Sequence, residues 1–291
     1  MTPPEPTELR RDAPADRRRV LLVTGAAGKV GRALRPYLRE RYDLLLHDRV
    51  AITDPHEGER ATTGDLADAA HVREVVRGVD AVLHLAVVHG VDLRFDPSID
   101  ANFRATMHLL DAVRAEGVPR FVYASSHHVH GLHRRDGFAG DDAAYAPDAV
   151  YGLGKAYGEL AATSYARRYG IRTLIVRIGN ADPTVGDDRA LRLWTSARDL
   201  AQLIAIGVDD PEVACDVVYG VSTCPDPLYR NRRAHLLGYR PEDRAEDHLD
   251  PEFVPYEAMP ERLGRDYVGG RYVAIDLPFP IGAEPEGEED A

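Results

Sequence analysis

The sequence predicts an α/β fold: a doubly wound parallel sheet with a smaller region at its C-terminal end. Three observations predict it. Short apolar runs of strand length alternate with segments of helical period, the order expected of right-handed βαβ units with helices on both sheet faces. The first run stops at a glycine and passes directly into an amphipathic pattern. A length of 291 residues with 44% hydrophobic content can bury one sizeable core.

Taken in order, residues 1–18 are charged, with a proline-rich start, and read as a loose tail. Residues 19–24 form the first strand and 29–42 its helix. Further strands fall at 44–46, before Asp65, and at 81–86, 120–124 and 173–178, with helices at 68–77, 99–116 and 150–169 between them. These units make a sheet domain over 19–180. Beyond it the pattern loosens into a helix near 197–207, a strand near 216–221 and Pro- and Arg-rich sequence, read as a substrate-side region over 181–283 packed on the sheet domain. The acidic end, 284–291, holds too little apolar surface to order itself.

Composition excludes several classes of partner. The net charge is −12 and no basic stripe runs through the body, Arg17-Arg18-Arg19 being too short to make one, so nucleic acid is not expected. No window approaches the ~20 apolar residues of a membrane span, and the N-terminus has no apolar leader core, so neither membrane insertion nor secretion is expected. Cys215 and Cys224 match neither a disulfide framework nor a zinc ribbon, which points to a reducing cytoplasm.

The turn Thr24-Gly-Ala-Ala-Gly-Lys-Val-Gly31 sets Gly25, Gly28 and Gly31 between strand and helix. Glycine allows the tight turn and close backbone approach, and the helix N-terminus offers N–H groups to a pyrophosphate. Asp48 follows at the end of the second strand, near the offset of about 20 residues expected for a ribose-binding carboxylate. Together these mark a Rossmann-type dinucleotide site, and the carboxylate favours NAD over NADP because it would repel a 2′-phosphate. Arg49 beside it weakens that preference and is read as a solvated surface arginine. Asp65, in Gly64-Asp65-Leu66, would either bond an adenine amino group or cap the next helix.

Tyr151 and Lys155 stand at i and i+4, on one face of a helix. A free phenol ionises near pH 10, so a phenolate at neutral pH needs about 4 kcal/mol of differential stabilisation, part of which a neighbouring ammonium supplies. Among 36 basic side chains only Lys29 and Lys155 are lysines, and the serine pair Ser125-Ser126 ends the preceding strand.

The glycine turn, Asp48, Gly64-Asp65-Leu66, His84-Leu85-Ala86, Asn102, Ser125-Ser126 and Tyr151 with Lys155 together resemble the extended short-chain dehydrogenase/reductase family of sugar epimerases and dehydratases, over about residues 19–180. The resemblance implies a catalytic set of Asn102, Ser126, Tyr151 and Lys155. Ser126 is taken over Ser125 because it directly precedes His127-His-Val-His-Gly131. It also implies an NAD site formed by Gly25, Ala27, Gly28, Lys29, Val30, Gly31, Asp48, Asp65, Leu66, Leu85, Ala86, Tyr151, Lys155 and Ile178. Homo-oligomers are common in that family, though nothing in the sequence marks an interface.

Within the family the chain resembles the uronate dehydrogenases, through Ala124-Ser-Ser-x-His128, Val176-Arg-Ile-Gly179 and the pattern Arg189…Trp194-x-Ser196…Asp199. That likeness implies NAD-dependent oxidation of the anomeric hydroxyl of a hexuronic acid to a lactone, with Arg189 on the sugar carboxylate, a task suited to its bidentate fork. Substrate contacts are expected at His89, Ser126, His127, His128, Asn180 and Arg189. His127 stands where an asparagine is usual, and His89 and Asn180 where small polar residues are, so the ring that is oxidised stays open.

The crowded histidines His127, His128, His130 and His133 lack a completing carboxylate or cysteine at ligand spacing, so no metal is expected. Two rival readings stay in view: a related sugar epimerase or ketoreductase with another substrate, and a regulator that binds NAD without chemistry.

Overall fold

The computed structural model describes residues 9–10, 17–138 and 140–274. The tail expected at 284–291 lies outside them.

In chain order the elements are β1 (Val20–Thr24), α1 (Lys29–Leu38), β2 (Asp43–Asp48), β3 (Glu59–Thr63), α2 (Ala69–Val76), β4 (Ala81–His84) and α3 (Phe95–Ser98). A π-helical turn, Ile99–Arg104, leads into α4 (Ala105–Ala115), followed by β5 (Arg120–Ser126), α5 (Val150–Tyr169) and β6 (Arg172–Ile178). Then come β7 (Val185–Asp187), α6 (Asp188–Leu191), α7 (Ala197–Asp209), β8 (Cys215–Gly220), α8 (Arg232–Leu236) and β9 (Leu249–Val254). Seven strands pair in parallel in the order β3-β2-β1-β4-β5-β6-β8. The order reverses between β1 and β4, so a crevice opens at their carboxyl ends.

The sequence shows why. Central strands of a parallel sheet are covered on both faces, and β4 and β5 are buried at every residue, whereas edge strand β3 exposes most of its positions. Alternation along β1 sends Leu21 and Val23 into a core under α1 and α7, and Leu22 into a second core under α2 and α4. Helix α1 ends at Leu38, short of the expected Tyr42, because the backbone turns there and the buried Tyr42 ring reaches Asp209, to whose carboxylate its hydroxyl donates at 2.8 Å.

Two expected boundaries are corrected. The sheet does not end at residue 180: β8 pairs with β6 from Thr173↔Cys215 to Ile178↔Gly220, and α7 adds Leu200, Leu203, Ile204 and Val208 to the first core. The irregular stretch between β6 and α7 hid this continuity. The smaller region is instead the β7–β9 pair with the segments after β8. At the other end, residues 9–10 and 17–18 are not loose. Leu9 packs on the second core, the Arg10 N–H donates to the Gly117 carbonyl at 2.8 Å, and Arg17 pairs with Asp80 at 2.7 Å. Among the described residues no helix is long and apolar enough to cross a membrane.

Candidate active site

A cleft of about 1370 Å³ runs along the carboxyl ends of β1, β4, β5 and β6. Its floor at one end is the glycine turn. Gly25 has φ +72°, and a Cβ there would lie 2.6 Å from the Ala86 backbone nitrogen; one on Gly31 would lie 2.6 Å from the Gly25 carbonyl oxygen. Only glycine permits this approach. Gly28 caps α1 without any side-chain hydrogen bond, so N–H groups of the first turn have no partner within the helix, and Ala27, Gly28, Lys29 and Val30 line the cleft.

The Asp48 carboxylate closes this end, accepting the Ala27 N–H at 3.0 Å and the Val50 N–H at 3.1 Å. Each oxygen keeps a lone pair for a further donor. Asp65 lines the cleft and accepts the Ala67 N–H at 2.8 Å; the cap of α2 is Asp68 and not Asp65. Leu66, Leu85, Ala86 and Ile178 supply apolar walls. The Lys29 ammonium reaches across to Asp182, so Lys29 serves the cradle through its backbone. An unsatisfied helix start, a glycine turn packed too closely on Ala86 for any Cβ and a carboxylate at the second strand's end fit a dinucleotide such as NAD.

Ser126, at the end of β5, and Tyr151 and Lys155, in the first turns of α5, line the middle of the cleft. Ser125 points elsewhere, its hydroxyl donating to the buried Glu159. The Lys155 Nζ donates to the Ala124 carbonyl at 2.6 Å and lies 5.8 Å from the Tyr151 ring centroid. Burial pulls Lys155 down to about 7, partly offset by Glu159. Burial pushes the Tyr151 phenol up to about 12, opposed by its hydrogen bond with Ser126. The expected lowering of the phenol by Lys155 is therefore not what this geometry gives, because desolvation outweighs an ammonium that is itself drawn toward neutrality.

Asn102 is not brought into the cleft. It is buried in the π-helical turn, where its amide accepts the Val88 N–H at 2.8 Å and donates to the Val88 carbonyl at 2.9 Å. It shapes the 87–89 loop that lines the cleft without lining the cleft itself.

At the far end Arg189 lines the cleft, and its Nη1 donates to the Val268 carbonyl at 3.1 Å. Among the described residues it has no carboxylate partner within ion-pair distance, and burial lowers its pKa. His127 accepts from Arg189 through Nε2 at 3.2 Å and donates from Nδ1 to the Ile178 carbonyl at 3.2 Å, so both ring nitrogens are committed. Burial, then His128 and Arg189, hold it neutral. His128 lies beside it, and exposed His89 places its ring 6.1 Å from that of Tyr151. Asn180 lines the cleft but turns its amide onto Asp182, donating at 3.2 Å and accepting the Asp182 N–H at 3.0 Å.

Sequence reasoning missed Tyr272, Arg271 and Asp148. Tyr272 stacks a tilted ring 4.2 Å from that of His128, and it and Arg271 line the cleft from irregular sequence that carries no periodic signal. Asp148 does have one, an acidic residue after Pro147 just ahead of α5. The remaining histidines turn away: the His130 Nε2 meets Arg177 at 3.1 Å, and His133 donates to the Ala144 carbonyl at 2.8 Å. Among the described residues no three His, Cys, Asp or Glu side chains are grouped as metal ligands.

Known proteins with this arrangement are close in sequence and shape. A uronate dehydrogenase from Pseudomonas putida is 38% identical over 265 residues, covering 89% of this chain and 97% of its own. The crystal structure of a uronate dehydrogenase mutant from Agrobacterium tumefaciens, complexed with NAD, superposes with a TM-score of 0.81 at 32% identity, covering 90% of this chain and 99% of that one. A glucuronic acid dehydrogenase from Chromohalobacter salexigens gives 0.80 at 33% identity, covering 89% and 98%. Residues 21–182 match the family model for the NAD dependent epimerase/dehydratase family, and with that match and this cleft the chain belongs to that family.

Proposed function

We propose that this chain is an NAD-dependent dehydrogenase that oxidises the anomeric hydroxyl of a hexuronic acid. The observation that carries the reading is Arg189, a largely buried guanidinium in the cleft with no carboxylate within ion-pair distance among the described residues, linked to Tyr151 through the rings of His127 and His128. A buried cation without a counter-ion calls for one from the ligand. The Pseudomonas putida relative and the Chromohalobacter salexigens structure, more similar to this chain than relatives named for glucose 6-phosphate or arabinose at 29% identity, are named for uronate and glucuronic acid, which supports the same substrate class.

Held by its carboxylate on Arg189, the sugar would place its anomeric hydroxyl against Ser126 and Tyr151. NAD, held by the glycine turn and Asp48, would supply the two-electron acceptor for the hydride that leaves the anomeric carbon. The hydroxyl proton would pass to Tyr151 in its phenolate form as the C–O bond gains double-bond character, and a pyranose would thereby become a lactone. Ser126 donates to the oxygen as charge develops on it. Lys155, fixed to the end of β5 through the Ala124 carbonyl, would hold the nicotinamide ribose, and Asn102 acts at one remove by holding the 87–89 loop. Two free thiols, one of them buried, suit a cytoplasmic setting.

Absorbance of NADH at 340 nm, followed with hexuronic acids, neutral aldoses and nucleotide sugars, tests this. Turnover is expected with a hexuronate and at least a hundredfold less with the matching aldose. Preference for a neutral or nucleotide sugar would overturn the assignment.

A further inference from the structure

Asp148 has no place in the mechanism above, yet its surroundings are built for it. Its side chain is fully buried three residues before Tyr151, with Oδ2 2.6 Å from the His128 Nδ1. Glycines from three segments make the room: a Cβ on Gly131 or Gly269 would lie 1.9 Å from Oδ2, and one on Gly152 2.9 Å from Oδ1. The Gly269 N–H donates to the Gly131 carbonyl at 2.9 Å, so the C-terminal segment that brings Tyr272 over His128 closes on this same point. Oδ1 has no hydrogen-bond partner, which leaves His128 as the group that Asp148 serves.

The His128 ring is held on every side. Its centroid lies 4.1 Å from that of His127, 4.2 Å from Tyr272 and 5.4 Å from Tyr151, and its backbone N–H donates to the Ser126 hydroxyl at 3.3 Å. Burial, with the positive charge of Arg189 and Arg271 and with His89 nearby, keeps the imidazole neutral. Proton counting then fixes its tautomer. An ionised carboxylate only accepts, so a neutral ring beside it carries its proton on Nδ1 and presents a lone pair at Nε2. Since Nδ1 is tied to Asp148, Nε2 is the nitrogen left for a ligand in the cleft.

We propose that Asp148 is a positioning residue that fixes the tautomer and orientation of His128, so that Nε2 accepts a hydrogen bond from a hydroxyl of the bound sugar. This rests on the reading of the chain as a sugar-acid dehydrogenase. The two ends of the substrate are then read by opposite chemistry: Arg189 donates to the carboxylate, and His128 accepts from a hydroxyl. The pair also has a pH limit. Burial pushes Asp148 up to about 7, with the charge of Arg189 opposing the rise, and a second proton on the pair turns Nε2 into a donor.

Two measurements on the full chain test the proposal. Two-bond ¹H–¹⁵N spectra at pH 8.5, with the His128 signals identified by their loss in His128→Gln, should show the proton on Nδ1. A proton on Nε2 overturns the proposal without need of any variant of Asp148. In Asp148→Asn the amide can donate to Nδ1, the proton moves to Nε2, and KM for the hexuronate should rise about tenfold with kcat changed less and NAD affinity unchanged. The wild-type rise of kcat/KM through pH 7 should flatten, and in a His128→Gln background the same substitution should add nothing. Unchanged KM and pH profile, loss of NAD binding, or a further effect in that background would each overturn it. If the wild-type chain fails to oxidise any uronate, the functional reading falls, while the tautomer spectrum still decides what Asp148 does.

Discussion

The ammonium of Lys155 donates to the main-chain carbonyl of Ala124 at 2.6 Å. That bond ties the lysine to the end of β5, one turn of α5 from Tyr151, in a pocket that favours the neutral form of both side chains. Tyr151 stays protonated at neutral pH in the isolated chain, and turnover should climb with pH through the alkaline range as the phenolate fraction grows. Tyr151→Phe should lose turnover by at least a thousandfold while calorimetry finds NAD affinity within a factor of three. Retention of activity by this variant sinks Tyr151 as the base.

Lys155 also makes a claim about stability. Burial holds it near 7 against an ordinary value of 10.5, so between those values the unfolded chain keeps a proton that the folded chain has released, and stability rises with pH across the window. Lys155→Met removes this contribution. The advantage of wild type over the variant should grow by about 1 kcal/mol per pH unit from 7 toward 9, measured by urea denaturation. A difference that stays flat with pH means the lysine is not held near neutrality.

At the cofactor end, both Asp48 oxygens take backbone N–H groups that shape the glycine turn and the start of the next loop. Asp48→Ser should weaken NAD binding by about tenfold to a hundredfold and narrow the preference over NADP, since the repulsion of a 2′-phosphate goes with the charge. Titration of both dinucleotides reads this directly. Equal loss for both would assign Asp48 to the turn alone.

How much of this was legible beforehand depends on the range of the interaction concerned. Strand, glycine turn and Asp48 are local in sequence, and the Tyr151 and Lys155 spacing is one helical turn, so periodicity and composition found them. Spacing says nothing of where an amide points, and that of Asn102 points at Val88. The i, i+4 argument counts the neighbouring charge and not the water removed from both groups, so it does not carry the direction of the Tyr151 shift. Tyr272 comes to His128 across more than a hundred residues, through a contact between two glycine-rich segments that leaves no periodic trace.

The largest structural penalty is expected away from the chemistry. Glu159 is fully buried and receives Arg177 through Nε at 2.9 Å and Nη2 at 2.8 Å, with Tyr145 donating to it at 2.8 Å. Glu159→Gln keeps the shape but strips Arg177 of its counter-charge, at a cost of about 3–5 kcal/mol. The same change removes the group that raises Lys155, so its lysine should lose its proton at a lower pH. Thermal melting checks the first effect, and a shift of less than 2 °C would show that the pair contributes little.

Arg189 offers the sharpest test of substrate class, because its neighbours hold it without neutralising it. His127 takes one N–H and the Val268 carbonyl takes a hydrogen bond from the same nitrogen, which leaves the rest of the fork for a ligand. Arg189→Ala should raise KM for a hexuronate by about a hundredfold, the worth of a charge-assisted pair, and leave the slow oxidation of a neutral aldose as it was. Arg189→Lys should recover only part, since a point charge cannot match both carboxylate oxygens. Burial keeps His127 unprotonated well below the ordinary histidine range, so it goes on accepting from Arg189 in mild acid. Preference for the acid sugar over the aldose should therefore persist from pH 8 down to pH 6, even as the absolute rate falls with the Tyr151 phenolate. A preference that vanished over that interval would mean that the carboxylate is read by a group that titrates there, and Arg189 does not.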